Sequence, residues 1–424
     1  MIKLFARLLL AMSVLATRCA DAVAEAQAEA PHHVNASVNV LANYNNSDTS
    51  WLNGGFGRYG NGAKPESGSV GYEGNFEYRY QQSKTFQFRT FIQAQSHIST
   101  GSRSSSLRDL GIVELELRYT KDLSFHHQLS FNLGQFFLPT SLENTKRFWD
   151  SPYTINFSSL NSWIGEEFRP LGISAQHRYH LDNGSRLSSA VTLFGGNDSM
   201  GALLAYRGWS YGRLRTSYGD VLSLPKTQPL SDTGMFSAQR DDGTKPFGKD
   251  LDHRPGYALR LNYLSDRLAI NAAWVDNRGD TELHRGEYAW RTRFALLGAS
   301  WFATPEIELL FEATQGDSTM GAGPGVAIDF YSAYAMSSYR HDEYRFTYRY
   351  DIFGTSDTDP VDQENNDFGR SHTLAIFWLP PNQAFSIGGE VMCLTSDRDR
   401  RMADSSRYQD QDAVAFSVIT KITF

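Results

Sequence analysis

The feature that most limits what this chain can fold into is a period-two alternation of apolar and polar residues, recurring from end to end. In the last segment Val414, Phe416, Val418, Ile422 and Phe424 share one parity with Thr420. Ala415, Ser417, Lys421 and Thr423 share the other, with Ile419 as the exception. Successive side chains of a strand point to opposite faces, so each set occupies one face. Phe76, Tyr78 and Tyr80 likewise alternate with Glu77, Arg79 and Gln81. Val113, Leu115, Leu117 and Tyr119 alternate with Glu114, Glu116 and Arg118. On the same reading Trp290, Phe294 and Leu296 face away from Arg291 and Arg293, and Leu309 and Phe311 away from Glu308 and Glu312. One aromatic face and one charged face suit a barrel with lipid outside and water inside. A soluble sandwich also alternates, but its outer face seldom carries such dense aromatics.

The N-terminus reads as an address. Lys3 and Arg7 precede the apolar run Leu8 to Ala16, and small-residue sites such as Ala22-Val23-Ala24 follow. This predicts a secretory signal peptide over 1–24, a short segment over 25–33 and a barrel over 34–424. Beyond it no stretch approaches 18 uncharged apolar residues, which excludes a polytopic helical membrane protein. A net charge of −7 excludes a strongly basic nucleic-acid binder, and two cysteines exclude a disulfide scaffold or a cysteine-based zinc site. No cofactor or metal is expected.

Connections alternate between short polar links and longer loops, as in up-and-down outer-membrane barrels with short periplasmic turns and long external loops. Counting segments predicts an all-β, antiparallel transmembrane barrel of 18 strands. A 16-strand barrel follows if Met200–Arg207 and Tyr211–Gly219 belong to one folded loop. Either size leaves an aqueous channel. The inward parity would then place Arg79, Arg89, Arg118, Arg213, Arg215, Arg260, Arg291, Arg293, Arg345 and Arg349 on the lumen with Glu114, Glu116, Glu308 and Glu312. These could attract anions through unpaired guanidinium groups, or stiffen the wall as cross-strand pairs.

The segment Phe137–Pro170 carries Phe148, Trp149, Tyr153, Phe157 and Trp163, too much apolar surface to stand in water. Folded into the barrel mouth, it would bring Glu143, Lys146, Arg147, Asp150, Glu166, Glu167 and Arg169 to a constriction. The alternatives are a loop packed on the rim or a further pair of strands. Gly134-Gln135-Phe136-Phe137-Leu138-Pro139-Thr140-Ser141-Leu142-Glu143 resembles the G-x-F-x-x-P-x-S-L-E stretch of the phosphate-selective porins of the O and P type. Arg169-Pro170-Leu171-Gly172 is similar to the Arg-x-x-Gly segment that follows it there. The resemblance implies a porin with an infolded loop after the strand ending near Phe136. That family uses a lysine cluster and an arginine ladder; here Lys146-Arg147 is the single basic pair of the loop.

The acidic run Asp357 to Glu364 offers oxygen ligands but no EF-hand spacing, and reads as a solvated external loop. Asp397 to Arg401 reads as a loop tip. G-x-S-x-G and H-E-x-x-H are absent, and nothing pairs His97, His126 or His127 with a nucleophile, so no enzyme is expected. The expectation is a porin in the outer membrane of a Gram-negative bacterium, passing small hydrophilic solutes or ions. The alternative is a structural or surface-interaction barrel with a plugged lumen. Expected partners are outer-membrane lipid, lipopolysaccharide and small solutes, without nucleic acid; a homotrimer follows only from the resemblance to general porins.

Overall fold

The computed structural model describes residues 31–424, apart from residues 54, 61–66, 96–106, 108, 223, 226–229, 232, 238, 240–242, 248, 322, 324, 361–364, 382–383 and 399–409. The expected signal peptide and residues 399–401 of the expected loop tip lie outside the described residues, whereas Asp397 and Arg398 end a wall strand and Arg398 is buried. Long runs of alternating β-branched, aromatic and polar residues suit a pleated surface that is apolar on one side. They form β1 (His32–Asn45), β2 (Ser67–Gln81), β3 (Phe86–Gln95), β4 (Leu110–Asp122), β5 (His127–Gln135), β6 (Leu171–His180), β7 (Arg186–Gly195) and β8 (Gly256–Leu264). The second half comprises β9 (Leu268–Asp276), β10 (Trp290–Phe302), β11 (Ile307–Met320), β12 (Val326–His341), β13 (Tyr344–Asp357), β14 (Asp367–Trp378), β15 (Phe385–Arg398) and β16 (Asp410–Thr423).

Each strand pairs antiparallel with its neighbour, and β1 closes on β16 through Ser37 opposite Thr423 and Asn45 opposite Ala415. The result is a closed 16-strand barrel, the smaller of the two sizes the sequence allowed. Closure leaves no unpaired edge, which lipid requires. Among the described residues no helix is long and apolar enough to cross a membrane. Links at 82–85, 123–126, 181–185, 265–267, 303–306 and 342–343 are short and lie at one end with both strand termini, and the long connections lie at the other. Met200–Arg207 and Tyr211–Gly219 are not wall strands: the first holds a short helix, and residues 200–217 are buried inside the barrel, with Tyr218 exposed at its end.

Tyr72, Leu117, Leu261, Leu309, Phe311, Phe346 and Phe416 are exposed on the outer wall. Strand β10 has the opposite register to the one its sequence suggested. Trp290, Phe294 and Leu296 are buried inside, while Arg291 and Arg293 stand on the outer face, paired with Asp276 and Asp317 at 3.3 and 2.7 Å. The reason is that the lumen at this level is itself apolar. Leu309 is 39% exposed. Leu309→Arg is therefore expected to cost about 2–4 kcal/mol near the bilayer midplane. Reversible unfolding in lipid checks this, and an unchanged stability would refute the outward assignment.

Candidate functional site

The lumen is occupied by two segments of the chain itself. Residues 136–170 leave β5, enter the barrel and return to β6. Within them Ser158 caps helix α1 (Ser159–Glu167), its hydroxyl accepting from the Asn161 N–H at 3.1 Å. Residues 196–217 enter the barrel after β7 and carry helix α2 (Ala202–Tyr206).

Wall carboxylates dock the first segment by accepting its backbone N–H groups. Glu114 accepts from Phe137 at 3.0 Å, Glu312 from Leu142 at 2.8 Å, and Glu390 from Asn156 at 3.2 Å. The Tyr153 hydroxyl donates to Glu308 at 2.9 Å. Arg349 on β13 reaches Glu143 at 2.7 Å and Asp351 at 2.8 Å, all three fully buried. Glu143 also accepts from the Ser158 N–H at 3.0 Å and the Asn161 amide at 2.8 Å. A buried charge is tolerable only when paired and hydrogen-bonded, and this group is both.

The second segment packs on the first. Glu166 takes Arg207 at 2.9 Å. Glu167 accepts from the Trp163 indole at 2.8 Å and from the N–H groups of Gly201 and Leu203 at 3.1 and 3.2 Å. Burial pushes the Glu167 carboxyl up to about 7. Gly208 has φ 80°, and a Cβ there would strike the Asp367 carboxylate, so only glycine allows this approach. The Trp209 N–H donates to Asp367 at 2.9 Å, and Arg58 pairs with the same carboxylate.

Between these polar clamps lies an aromatic layer. Trp163 meets Trp209, Phe294 and Phe330 with ring centroids 5.9, 5.1 and 5.2 Å apart. Trp290 meets Tyr206 at 5.8 Å. This cluster belongs to one buried core that spans wall and inserted segments alike.

Toward the short-turn end the lumen opens into a cavity of about 770 Å³. The 146–150 tip of the first segment forms its roof, held by the Lys146 and Asp150 backbone pairing at 3.0 Å. Arg79, Arg89, Arg118 and Arg345 from the wall line it with Lys146, Arg147, Asp150 and Glu116. Arg89 is neutralised by Glu77 and Glu114, both at 2.7 Å, and Lys421 by Asp150 at 2.9 Å. Burial, then the nearby Arg345, Lys421 and Arg340, hold the Lys146 amine below its usual range.

Arg260 points inward and is buried beside no carboxylate partner among the described residues. Arg213 and Arg215 lie on the second inserted segment rather than on strands, and both bind Glu73, at 3.1 and 2.9 Å. Arg169 is buried with its guanidinium 3.8 Å over the Phe137 ring. Arg291 and Arg293 are on the outer wall, far from this arrangement. Glu166 and Glu167, expected at the constriction, instead clamp the two inserted segments together. Sequence reading missed Arg58, Arg207, Arg340 and Asp367. Arg340 sits where a turn was expected; for the others nothing local signals a partner tens or hundreds of positions away. Asp357 and Asp359 of the acidic loop accept backbone N–H groups of that region, and residues 361–364 lie outside the described residues. Asp198, Asp250 and Asp252 form one group of carboxylates within 4.8 Å of one another.

Neither a protein-family model nor a curated protein matches the sequence. Solved structures do match. An anion-selective porin from Comamonas acidovorans aligns with TM-score 0.53 and 11% identity, over 93% of this chain and 99% of that one. The outer-membrane expressed OmpT of Vibrio cholerae aligns with TM-score 0.50 and 8% identity, over 93% and 97%. Its trimer form aligns at 0.50 and 7%, over 93% and 100%. The fold is that of an outer-membrane porin. At these identities the likeness shows the barrel and nothing about cargo.

Proposed function

We propose that the chain is an outer-membrane channel for small anionic solutes, narrowed by residues 136–170 and entered from the periplasm through the basic vestibule. The observation that carries this reading is the 146–150 tip, which brings Lys146 and Arg147 into the cavity at the short-turn mouth. Short turns mark the periplasmic side of such barrels. Lys146 has no carboxylate partner among the described residues and Arg147, 3.5 Å from Glu77, stays half exposed; cations facing a walled cavity focus field lines and favour anions. The Comamonas porin of the same fold is described as anion-selective, which agrees. The reading is for small anions as a class, since phosphate in particular is suggested only by the stretch Gly134–Glu143. No chemical step is involved. A homotrimer is part of the reading, by analogy with the OmpT trimer form.

A second reading, a plugged barrel that does not conduct, is favoured by the dry layer of Trp163, Trp209, Phe294 and Phe330. The two separate by liposome swelling. Proteoliposomes should swell faster in sodium gluconate than in N-methylglucamine chloride. No swelling in either solute would favour the plugged barrel.

The Glu167 clamp adds a pH dependence. Its carboxyl is raised to about 7 where it is docked, so the docked state binds more protons between the ordinary carboxylate range and pH 7. Docking is strongest at acid pH and weakens as pH rises through that window. Swelling is therefore expected to be faster at pH 8 than at pH 5.5. Glu167→Gln should flatten this difference; an identical pH profile in the variant would remove Glu167 from the account.

A further inference from the structure

The vestibule has two unlike walls. On one, Arg340 and Arg345 are directly opposed across β12 and β13, and Lys146 approaches both from the roof. Like charges directly opposite each other on a sheet destabilise it. Elsewhere in the cavity this is relieved: the opposed Arg79 and Arg89 share Glu77 at 3.2 and 2.7 Å. Among the described residues no carboxylate lies within ion-pairing distance of Lys146, Arg340 or Arg345. Arg345 rests on the Tyr153 ring at 4.9 Å instead, and its Nε is buried without a hydrogen-bond partner. Three cations converge on one side of the cavity, where none of them is paired with a carboxylate among the described residues.

The neighbouring wall is apolar. Phe377 stands opposite Arg345 in the next strand pair, and Leu379, Pro380 and Pro381 continue from it along the same cavity. A volume of about 770 Å³ is within the range of small-molecule sites, which combine an apolar lining with a few convergent polar groups. A simple inorganic anion would use the cations and leave the apolar wall wet.

We propose that this vestibule binds small amphiphilic carboxylates, the carboxylate between Lys146, Arg340 and Arg345 and the apolar body against Phe377, Leu379 and Pro381. Arg340 and Arg345 can each offer paired N–H donors to a carboxylate, and Lys146 adds a point charge. This deepens the channel reading by naming the solute class at that mouth, and it is tested by binding rather than flux.

The experiment is calorimetric titration of the folded protein in neutral detergent at low salt, against empty-micelle blanks. The probes are benzoate, acetate, benzyl alcohol and inorganic phosphate. Benzoate should bind saturably, about tenfold tighter than acetate or phosphate, and benzyl alcohol should not saturate. Arg340→Gln should weaken benzoate and acetate together by about tenfold. Leu379→Asn, at a half-buried position on the apolar wall, should bring benzoate down to acetate and leave acetate unchanged. Heat-modifiable mobility confirms that each variant is folded. Absent benzoate binding, benzoate no tighter than acetate or phosphate, or benzoate binding indifferent to Arg340→Gln overturns the proposal. Intact benzoate binding in a protein that does not conduct overturns the channel reading alone.

Discussion

Exchanging Lys146 and Arg147 together for Glu is expected to turn an anion preference into a cation preference. Both residues line the vestibule at the tip of the inserted segment, where the wall lowers the dielectric. Lys146 has no carboxylate partner among the described residues, and Arg147 is 3.5 Å from Glu77 while remaining half exposed. Each exchange reverses a charge that faces the solute. The reversal potential across a salt gradient should therefore change sign at low ionic strength. At high salt, where the Debye length falls to about 3 Å, the shift should shrink. Lys84→Glu with Arg267→Glu, on exposed turns at the same mouth, makes the same change in charge and serves as control. Equal shifts in the two double variants would mean that the 146–150 tip is not where ions are selected.

The second large effect is expected at Arg349. This guanidinium holds Glu143 of the inserted segment and Asp351 of the wall, and it also donates to the carbonyl oxygens of Asn156 and Phe157 at 3.0 and 3.2 Å. Arg349→Met leaves two carboxylates in a dry site. Breaking one partner of a buried pair costs about 3–5 kcal/mol, because the remaining charge is uncompensated. The segment can relieve this by leaving its seat, so the variant should show larger and noisier currents as well as a lower unfolding midpoint. Arg293→Met, which breaks an exposed pair with Asp317 on the outer wall, should cost no more than about 1 kcal/mol. Equal destabilisation by the two would show that Arg349 does not anchor the segment.

Much of the barrel was legible in the alternation because one side of each strand meets lipid and the other meets polar groups. Leu309 and Phe311 against Glu308 and Glu312, and Val414 to Phe424 against Ser417 and Lys421, fall as their parity says. Strand β10 shows where that logic stops. Trp290 and Phe294 are apolar because the inserted Tyr206 and Trp163 pack on them, and Arg291 and Arg293 sit outside beside Asp276 and Asp317. Period two names two faces; it does not say which faces lipid when the lumen is apolar too. The stretch 200–219 misleads for a related reason. Its apolar residues, Leu203, Leu204, Trp209 and Tyr211, are buried by partners far away in sequence, so a local pattern resembling a weak strand has no wall to join. Of the candidate site, the aromatic load of 137–170 was legible and the docking partners were not. Glu312, Glu390 and Arg349 look like ordinary lumen charges until the segment they hold is placed.

The most direct test of the central claim, a porin-type channel narrowed by its own inserted segments, is single-channel recording of the folded protein in planar bilayers. Discrete, small conductance steps with a reversal potential on the anion side, and larger steps in Arg349→Met, are the expected result. Membranes that stay silent with both proteins, each shown to be folded and inserted, would contradict it.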